Sequence, residues 1–473
     1  LTVSNKRPFF KRMTGHDYYN ISQFDFEKLM DDSNAIEANL RDYINGFSED
    51  VREIMDNFEI FGVIDKLSRA NLLYLVVQRF AEIDMSDTQI DNLEMGYMFE
   101  ELIRRFSEQS NETAGEHFTP REVIELMVEV LLDPDMDEIA TTDGKVITIL
   151  DPACGTGGML SVAQNKMQAL NATTRVIPFG QELNPETYAT CCSDMILKGN
   201  TNSRIVLGNS FNEDGFQGQA FDYMLSNPPF GVEWKKVEKF IKDEAKNKGY
   251  SGRFGAGLPR ISDGSFLFLQ HLISKMNAPE DGGSRIGIVF NGSPLFSGDA
   301  GSGESEIRRW IIENDLLEAV IGLPDQLFYN TGITTYIWIL TNRKENRRKG
   351  KVRLINGTGF YEKMRKGLGN KRNMVNPENR AEIVRLYSTY EPDENYMDLD
   401  NDDFGYRKIV VERPLLNEDG TPVTDRKGSK KADVSLRDYE IVPLKEDVHE
   451  YFRREVLPFV PNAWIDESKT KIG

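Results

Sequence analysis

The stretch "LSNPPFGVEW", residues 225–234, places an asparagine, two prolines and an aromatic ring directly after the apolar run "FDYML". Proline has no backbone N–H to donate, so a double proline ends a strand inside a sheet. The turn is either an ordinary strand end or a rigid rim that holds Asn227 and Phe230 beside a ligand. As a rim, the side-chain oxygen of Asn227 and the carbonyl of Pro228 would accept both hydrogens of an exocyclic amine. Those hydrogen bonds favour a pyramidal nitrogen, whose lone pair can attack an electrophile.

A second candidate site is the glycine turn "DPACGTGGM", residues 151–159, between the strand pattern "VITIL" and the helix pattern "MLSVAQNKMQAL". Glycines at such a junction let a ligand approach the backbone at the helix N-terminus. The spacing differs from the GxGxxG dinucleotide fingerprint, which argues against an NAD-dependent oxidoreductase. The carboxylate of Asp151 at the start of the turn suits a ligand with an ammonium or sulfonium group. A glycine turn without a ligand is the alternative.

Glu182 follows at the end of the next strand pattern, in "GQELNPETY", where Asn184 and Pro185 cap the next helix. An acidic residue at the carboxyl end of this strand commonly accepts the two hydroxyls of a ribose. In isolation, a glutamate before an Asn-Pro cap is more often a surface residue. Its order in the chain after Asp151 favours the ribose interpretation.

The segment "GEHFTPREVIELMVEVL" starts a helix ahead of the glycine turn. Thr119, Pro120 and Glu122 fit a capping box with proline at the first helical position, which is a sufficient local explanation. A functional interpretation adds that this rigid helix start closes over the ligand of the glycine turn, with Phe118 packed on that ligand.

The surrounding patterns divide the chain into three parts. Residues 1–112 show helical periodicity without strand patterns and predict an all-helical domain. Residues 113–356 alternate strand patterns with helices, which predicts a mostly parallel, doubly wound sheet of the α/β class. Residues 357–473 combine a basic stretch and an acidic linker, at 391–403, with a helical tail around "LKEDVHEYFRREVLPFV". The strand patterns are "VITIL", "VIPFG", "RIVLG", "FDYML", "RIGIVF", "LEAVIGL" and "TYIWIL".

Composition restricts the class of protein further. The 473 residues are 39% hydrophobic and 28% charged, which predicts a globular chain, of roughly two or three domains. No apolar run approaches the roughly 18 residues that cross a bilayer, so we expect a cytoplasmic protein without membrane contact. Three cysteines without metal-like spacing and four histidines argue against a disulfide framework and against zinc, and we expect no metal.

The formal net charge of −19 predicts that the chain as a whole repels polyanions, because phosphate neutralisation dominates affinity for nucleic acids. Residues 342–353 and 363–372 are densely basic and form either solvated loops or a local track for phosphates. The lysine-rich segment 234–260 follows the double proline, and we expect a mobile loop there.

The motifs "FTP", "DPACGTGG" and "NPPF" stand in the order typical of the gamma class of adenine N6 DNA methyltransferases, which use S-adenosylmethionine. The longer phrases "GEHFTPREVIELM", "DPACGTGGML", "FGYRKIVVERPL" and "REVLPFVPNAWID" resemble the modification subunit of Type I restriction-modification systems, and the resemblance covers nearly the whole chain. It implies a Rossmann-like, doubly wound methyltransferase sheet preceded by the N-terminal all-helical domain. It also implies methyl transfer to the N6 amine of an adenine flipped out of duplex DNA. We expect the family's pattern to continue beyond Gly473.

The resemblance assigns roles to residues at matching positions. Phe230 would stack on the flipped base, with Phe328, rather than Tyr329, as a second aromatic wall. Asn209 would lie near the cofactor adenine or the target amine. The catalytic turn comprises Asn227, Pro228, Pro229 and Phe230. The cofactor contacts comprise Glu116, His117, Phe118, Thr119, Pro120, Arg121, Asp151, Thr156, Gly157, Gly158 and Glu182.

In this family two modification subunits clasp one specificity subunit that reads the DNA sequence, and motor-nuclease restriction subunits join that core. The resemblance therefore implies DNA, a specificity subunit, a second copy of this chain and a restriction subunit as partners. The helical front and the tail helix would be packing surfaces, or, for the tail, an intramolecular lid. An acidic chain without its own target-recognition domain agrees with the need for such partners.

Other functions use the same turn. Enzymes that methylate glutamine side chains of proteins or exocyclic amines of ribosomal RNA also place an NPP-aromatic turn beside a planar nitrogen, so the turn alone does not discriminate. The "FTP" element, the helical front and the tail phrases favour adenine in DNA. A catalytically silent binding subunit is a further alternative, which the presence of every expected catalytic residue disfavours.

Overall fold

The structure is a computed structural model that describes residues 3–83, 119–200 and 202–473, together with residues 95, 98, 101 and 102. Three of the expected cofactor contacts, Glu116, His117 and Phe118, lie outside the described residues. The expected boundary between the first two domains, after residue 112, also lies outside them.

Helices make up the front of the chain, as its periodicity predicts. The described ones are α1 (Val3–Thr14), α2 (Phe26–Leu29), α3 (Ile36–Asn45), α4 (Glu49–Asn57), α5 (Ile60–Arg69) and α6 (Leu73–Ala81). Their apolar faces meet in a small core that includes Leu29, Ile44 and Ile64. The predicted helical region at the front of the chain is therefore confirmed.

A large sheet forms the centre of the chain, and all the predicted strands belong to it. Within the described residues nine strands pair in the order β11-β8-β6-β7-β5-β4-β1-β2-β3. The neighbours from β3 to β5 are parallel, as are β6 and β8, whereas β7 and β11 run antiparallel to their neighbours. The strands of the chain are β1 (Val146–Asp151), β2 (Arg175–Glu182), β3 (Arg204–Leu207), β4 (Tyr223–Ser226), β5 (Arg285–Phe290), β6 (Leu317–Gly322), β7 (Tyr336–Thr341), β8 (Lys351–Asn356), β9 (Glu362–Leu368), β10 (Lys371–Met374), β11 (Tyr396–Asp400), β12 (Tyr406–Glu412), β13 (Asp438–Pro443), β14 (Trp464–Ile465) and β15 (Lys471–Ile472).

Helices cover both faces of this sheet. After the front they are α7 (Arg121–Leu132), α8 (Met136–Thr141), α9 (Gly158–Leu170), α10 (Pro185–Leu197), α11 (Glu238–Lys248), α12 (Ser265–Ile273), α13 (Ser293–Phe296), α14 (Gly303–Glu313), α15 (Pro377–Ser388) and α16 (Val448–Tyr451). One core contains residues of α7, α9, α10 and α15, and the other contains residues of α12 and α14. Strands buried on both faces read as continuous apolar runs, which is why their positions could be predicted. Among the helices of the described residues, none is long and apolar enough to pass through a lipid bilayer.

The last part of the chain contains more strand than the predicted linker and helical tail. Strand β11, inside the acidic segment 391–403, pairs with β8 at the edge of the large sheet. β9 and β10 form a separate hairpin, and β12 to β15 build a small antiparallel sheet. The predicted tail helix is limited to α16 and the π-helical turn Phe452–Val456, which pack on that sheet. β11 lies at the edge of the sheet, where a strand needs only one covered face. Charged residues on its exposed face hid the strand pattern in the sequence.

A buried ion pair fastens α15 to the middle of the large sheet. The Arg285 guanidinium donates to the Glu318 carboxylate and to the Tyr387 hydroxyl, each at 2.6 Å. It also donates to the carbonyl of Leu131 in α7 at 2.9 Å. Burial opposes the charge of Glu318, yet the attraction of Arg285 holds the pKa of this carboxyl below its usual value. Because Arg285 and Glu318 are each only 2% exposed, neither charge has water as a substitute partner.

We expect Glu318→Gln to lower the free energy of unfolding by about 3–5 kcal/mol, because it leaves a buried guanidinium without its counter-charge. Urea denaturation measures the difference. The matched control is Glu306→Gln, which removes a half-exposed partner 3.9 Å from Arg309. That control should change stability by less than about 0.5 kcal/mol. Equally small effects of both substitutions would contradict the structural role of the buried pair.

Candidate active site

The carboxyl ends of β1, β2 and β4 border a cavity of about 600 Å³ at one edge of the sheet. Ligands of open α/β sheets bind at such edges. Five described residues of the predicted site do not line this cavity, and they are Pro120, Gly157, Pro228, Phe230 and Phe328. The predicted residues that line it are Thr119, Arg121, Asp151, Thr156, Gly158, Glu182, Asn209, Asn227 and Pro229.

The glycine turn has the sharp backbone that its sequence predicts. Gly155 and Gly157 have φ angles of 55° and 83°, which glycine adopts without strain. A Cβ at position 157 would lie 2.7 Å from the Cys191 sulfur, so glycine is needed for α9 to pack this close to α10. Thr156 and Gly158, at the start of α9, line the cavity. The turn therefore brings the backbone to the cavity surface.

Asp151 ends β1 in a buried position. Its Oδ1 accepts hydrogen bonds from the Ala153 amide and the Ser226 hydroxyl, both at 3.0 Å. Burial raises the pKa of Asp151 to about 7, and the nearby Glu182 carboxylate adds to the rise. A cationic ligand in the cavity would favour the ionised form of this carboxyl.

Glu182 is held by the backbone at the end of β2. One carboxylate oxygen accepts the Gly155 amide at 2.9 Å and the other accepts the Asn184 amide at 2.8 Å. The side chain is buried, not on the surface as the alternative interpretation held. A carboxylate oxygen accepts two hydrogen bonds, so each retains one acceptor position for a hydroxyl. As predicted, Asn184 also caps α10, accepting the Thr187 amide at 3.1 Å.

Asn227, directly after β4, is oriented by a hydrogen bond that the sequence analysis did not predict. Its Nδ2 donates to the Thr119 hydroxyl at 2.9 Å. Its Oδ1 is buried and accepts no hydrogen bond from any residue that the structure describes. The amide is therefore a fixed acceptor without a donor, in a residue that lines the cavity.

The capping box predicted at the start of α7 is wrong. Pro120 occupies the cap position, and no side chain in the described chain caps the helix. Thr119 instead accepts from Asn227, and Glu122 forms an ion pair with Lys371 of β10. Each of these side chains pairs with a polar group from a distant part of the chain. Buried polar groups need such partners, and a local sequence motif does not show them.

The two aromatic residues expected to hold a base contact each other. The rings of Phe230 and Phe328 meet edge to face, with 6.4 Å between centroids and 68° between planes. Phe230 is half-buried, whereas Phe328 is 2% exposed and belongs to the main core. Phe230 therefore retains surface for stacking, and Phe328 supports its ring. A role of Phe328 as a direct wall stays a prediction.

The lysine-rich segment 234–260, where we expected a mobile loop, contains α11 and packs through a buried cluster against α12. Its mobility without DNA stays a prediction. Trp234 lines the cavity and donates from Nε1 to the Arg260 carbonyl at 2.9 Å. It shares a buried cluster with Ile241 and Phe254. Sequence reasoning missed Trp234 as a residue of the site because the lysines dominated the interpretation.

Arg253 joins this segment to the loop that follows β3. Its guanidinium donates to the carbonyls of Ser210 and Phe211, at 2.8 Å and 2.6 Å. It also pairs with the buried Glu244 of α11 at 2.7 Å. Ser210 and Phe211 both line the cavity, so Arg253 fixes a part of the cavity wall that it does not itself reach.

The fold is a doubly wound α/β sheet, and two carboxylates and an oriented amide line a cavity at the carboxyl ends of its strands. Comparison with protein families agrees with that class. The N-6 DNA Methylase family matches residues 90–407, and the HsdM N-terminal domain matches residues 4–80. The chain belongs to the N-6 DNA methylase family, so the family predicted from the motifs is confirmed.

Known proteins show how far this similarity extends. The Type I restriction enzyme MjaIX methylase subunit of Methanocaldococcus jannaschii is 27% identical over 337 residues, which cover 71% of this chain and 56% of the relative. The HindI methylase subunit of Haemophilus influenzae is 30% identical over 264 residues, which cover 55% of this chain and 53% of that relative. The chain thus spans little more than half the length of these curated relatives. A crystal structure of a type I restriction-modification methyltransferase subunit from Streptococcus thermophilus has a similar fold, with a TM-score of 0.67 and 23% identity, over 85% of this chain and 81% of that one.

We expect Asp151→Asn to stabilise the ligand-free protein increasingly as pH rises from about 4 to about 7. The folded chain keeps the Asp151 proton up to a pKa of about 7, whereas the unfolded chain loses it near about 3.9. Wild-type stability therefore falls over this interval, by about 1.4 kcal/mol per pH unit for this group, and no further above it. The asparagine does not titrate.

Urea unfolding of both proteins at several pH values measures the difference in stability between them. The difference should grow between the two pKa values and then become constant. A difference that stays flat from about pH 4 to about pH 8 would show that the Asp151 carboxyl titrates in the folded chain as it does in water.

Proposed function

We propose that this chain transfers a methyl group from S-adenosylmethionine to the N6 amine of an adenine flipped out of duplex DNA. It would do so as the modification subunit of a Type I restriction-modification complex. The observation that carries the proposal is the Asn227 oxygen, which is fixed through Thr119 and has no donor among the described residues. Membership of the N-6 DNA methylase family and the names of the relatives support the substrate and the assembly.

The cavity suits S-adenosylmethionine in size and charge. Its volume of about 600 Å³ lies in the range of small-molecule sites. Glu182 would accept the ribose hydroxyls at the positions that its backbone partners leave open, and Asp151 offers a carboxylate to the ammonium group. When bound, the cofactor supplies an electrophilic methyl group on a sulfonium. The contacts at Glu116, His117 and Phe118 stay predictions.

Asn227 and Pro228 would prepare the amine for attack. The lone pair of N6 is delocalised into the purine ring, which makes the nitrogen a poor nucleophile. Two hydrogen bonds, to Asn227 Oδ1 and to the Pro228 carbonyl, favour a pyramidal nitrogen with its lone pair directed at the methyl group. The Thr119 hydrogen bond and the double proline hold both acceptors before the base arrives. Stacking on Phe230 would offset the few kcal/mol that base flipping costs.

The same proposal places the chain in a larger cytoplasmic assembly. Its partners would be DNA, a specificity subunit, a second copy of this chain and a restriction subunit. A net charge of −19 opposes tight binding of DNA by this chain alone. Residues 113–356 would form the catalytic domain, between the helical front at 1–112 and the basic and acidic linker with its helical tail at 357–473. The helical front and the tail helix would supply the surfaces for subunit contacts.

Mapping of modified bases in cells with and without this chain tests the proposed function. N6-methyladenine at one specific DNA sequence should disappear when the chain is removed. Intact adenine methylation together with loss of methylation on a protein glutamine or on ribosomal RNA would contradict the proposal and identify the other substrate.

We expect Asn227→Ala to retain affinity for S-adenosylmethionine and to lose about 100-fold or more in kcat, because the alanine removes an acceptor for the amine. Calorimetry measures cofactor binding, and single-turnover methyl transfer measures the rate. Thr119→Val keeps the acceptor but releases the amide, so its loss in kcat should be smaller than that of Asn227→Ala. Wild-type turnover by Asn227→Ala would exclude the assigned role.

Phe230→Ala should weaken capture of the flipped base by about 1–3 kcal/mol, the contribution of one base–aromatic contact. Affinity of the assembled enzyme for its target duplex measures this loss. Phe296→Ala is the control, because it removes a phenylalanine that is 78% exposed and does not line the cavity, and it should leave the affinity unchanged. If Phe230→Ala also binds like wild type, its ring does not stack on the base.

A further inference from the structure

Several basic residues between 342 and 353 pair with carboxylates of the protein itself. The Arg343 guanidinium forms two hydrogen bonds with the Asp135 carboxylate, at 2.6 Å and 2.7 Å. Arg353 pairs with Asp398 at 2.8 Å and is only 1% exposed. These two cations neutralise carboxylates of the protein itself, whereas Lys349 and Lys351 are exposed. A role of this stretch as a phosphate track stays a prediction.

The second basic stretch lies on the hairpin of β9 and β10, residues 362–374, which we call the basic hairpin. It carries five basic side chains and one carboxylate, in a chain whose net charge is −19. Among the described residues, Lys371 is the basic member of the hairpin that pairs with a carboxylate. The other basic side chains are exposed, and they are Lys363, Arg365, Lys366 and Arg372.

Lys371 anchors the basic hairpin to the body of the protein. It is 3% exposed, forms an ion pair with Glu122 and donates to the Leu327 carbonyl at 2.9 Å. The Arg372 amide donates to the Gln326 carbonyl, also at 2.9 Å. The hairpin is therefore fixed in position, although four of its cations face solvent.

These anchor points adjoin the side of the site that would receive the base. The loop that accepts hydrogen bonds from the hairpin contains Phe328, whose ring contacts Phe230. Glu122 belongs to the first turn of α7, next to Thr119, which orients Asn227. The basic hairpin is thus connected on two sides to the elements that hold the catalytic turn.

We propose that the basic hairpin binds the DNA phosphates that flank the flipped adenine, an inference that rests on the proposed function. Lysine and arginine contacts to phosphates position a duplex without reading its sequence. Lys363, Arg365 and Lys366 would neutralise phosphates where the DNA must approach the catalytic turn. The net charge of −19 opposes DNA binding by the chain as a whole, so exposed cations next to the catalytic turn would favour the approach of the duplex there.

The test replaces three exposed cations of the basic hairpin in one variant, Lys363→Gln, Arg365→Gln and Lys366→Gln. In the assembled methyltransferase its KM for DNA should rise about tenfold or more near physiological salt. The dependence of log KM on log salt concentration should weaken by about 2–3, since each phosphate contact contributes about 0.9. The kcat at saturating DNA and the Kd of S-adenosylmethionine should stay unchanged, because the hairpin residues do not line the cavity.

A matched control removes three exposed cations from the tail, with Arg426→Gln, Lys427→Gln and Lys430→Gln. It should show the wild-type KM and salt dependence, and a thermal unfolding midpoint should confirm that both variants fold. An equal rise of KM in the control would reveal a general effect of charge and overturn the inference. Unchanged KM and salt dependence in the hairpin variant would overturn it as well.

Two further outcomes separate this inference from the proposed function. A hairpin variant that assembles poorly with the other subunits, yet binds DNA normally once assembled, would identify the hairpin as a protein contact and overturn the inference. A wild-type complex that methylates no adenine would overturn the proposed function itself. Normal adenine methylation by the wild-type complex, together with unchanged KM and salt dependence in the hairpin variant, would overturn only the role of the basic hairpin.

Discussion

The hydrogen bond from the Asn227 amide to the Thr119 hydroxyl is the interaction on which the site depends. It joins the end of β4 to the start of α7, across 108 residues of sequence. By holding Nδ2 it fixes Oδ1, which is buried and lacks a donor within the described part of the chain. A buried acceptor without a partner costs about 1–3 kcal/mol. The folded chain thus retains a buried oxygen without a donor, in a residue that lines the cavity. Under the proposed function, the amine of the target base would supply that donor.

The rest of the fold keeps this interaction in place. Because β1 and β4 are adjacent and parallel, Asp151 and Asn227 leave the sheet at the same edge, and the Ser226 hydroxyl connects to Asp151 at 3.0 Å. At the far end of α7, Arg285 binds the Leu131 carbonyl and ties the helix to the middle of the sheet. The two carboxylates line the cavity, whereas the exposed cations of the basic hairpin lie outside it. Under the proposed function, the carboxylates would bind a cationic cofactor and the cations would bind the phosphates of DNA.

The strands and the residue types of the site were predictable because they depend on local patterns. Strands covered on both faces give uninterrupted apolar runs, and a sharp turn before a helix requires glycine. The contacts that orient the site were not predictable, since Thr119 fits a capping box equally well and the pair of Glu122 with Lys371 spans 249 residues. The folded segment 234–260 and strand β11 were missed for a related reason. In both, charged residues on an exposed face hide the pattern of the apolar residues that pack beneath them. Composition also does not show which carboxylate pairs with each lysine or arginine.

A structure of the assembled protein with an unreactive analogue of S-adenosylmethionine and a target duplex tests the central claim most directly, because it locates the adenine N6 atom relative to Asn227. The account predicts N6 at about 2.7–3.2 Å from Asn227 Oδ1 and from the Pro228 carbonyl, with Nδ2 still bonded to Thr119. An adenine bound elsewhere, or an Asn227 amide turned so that Oδ1 accepts from a protein group and not from the base, would contradict it.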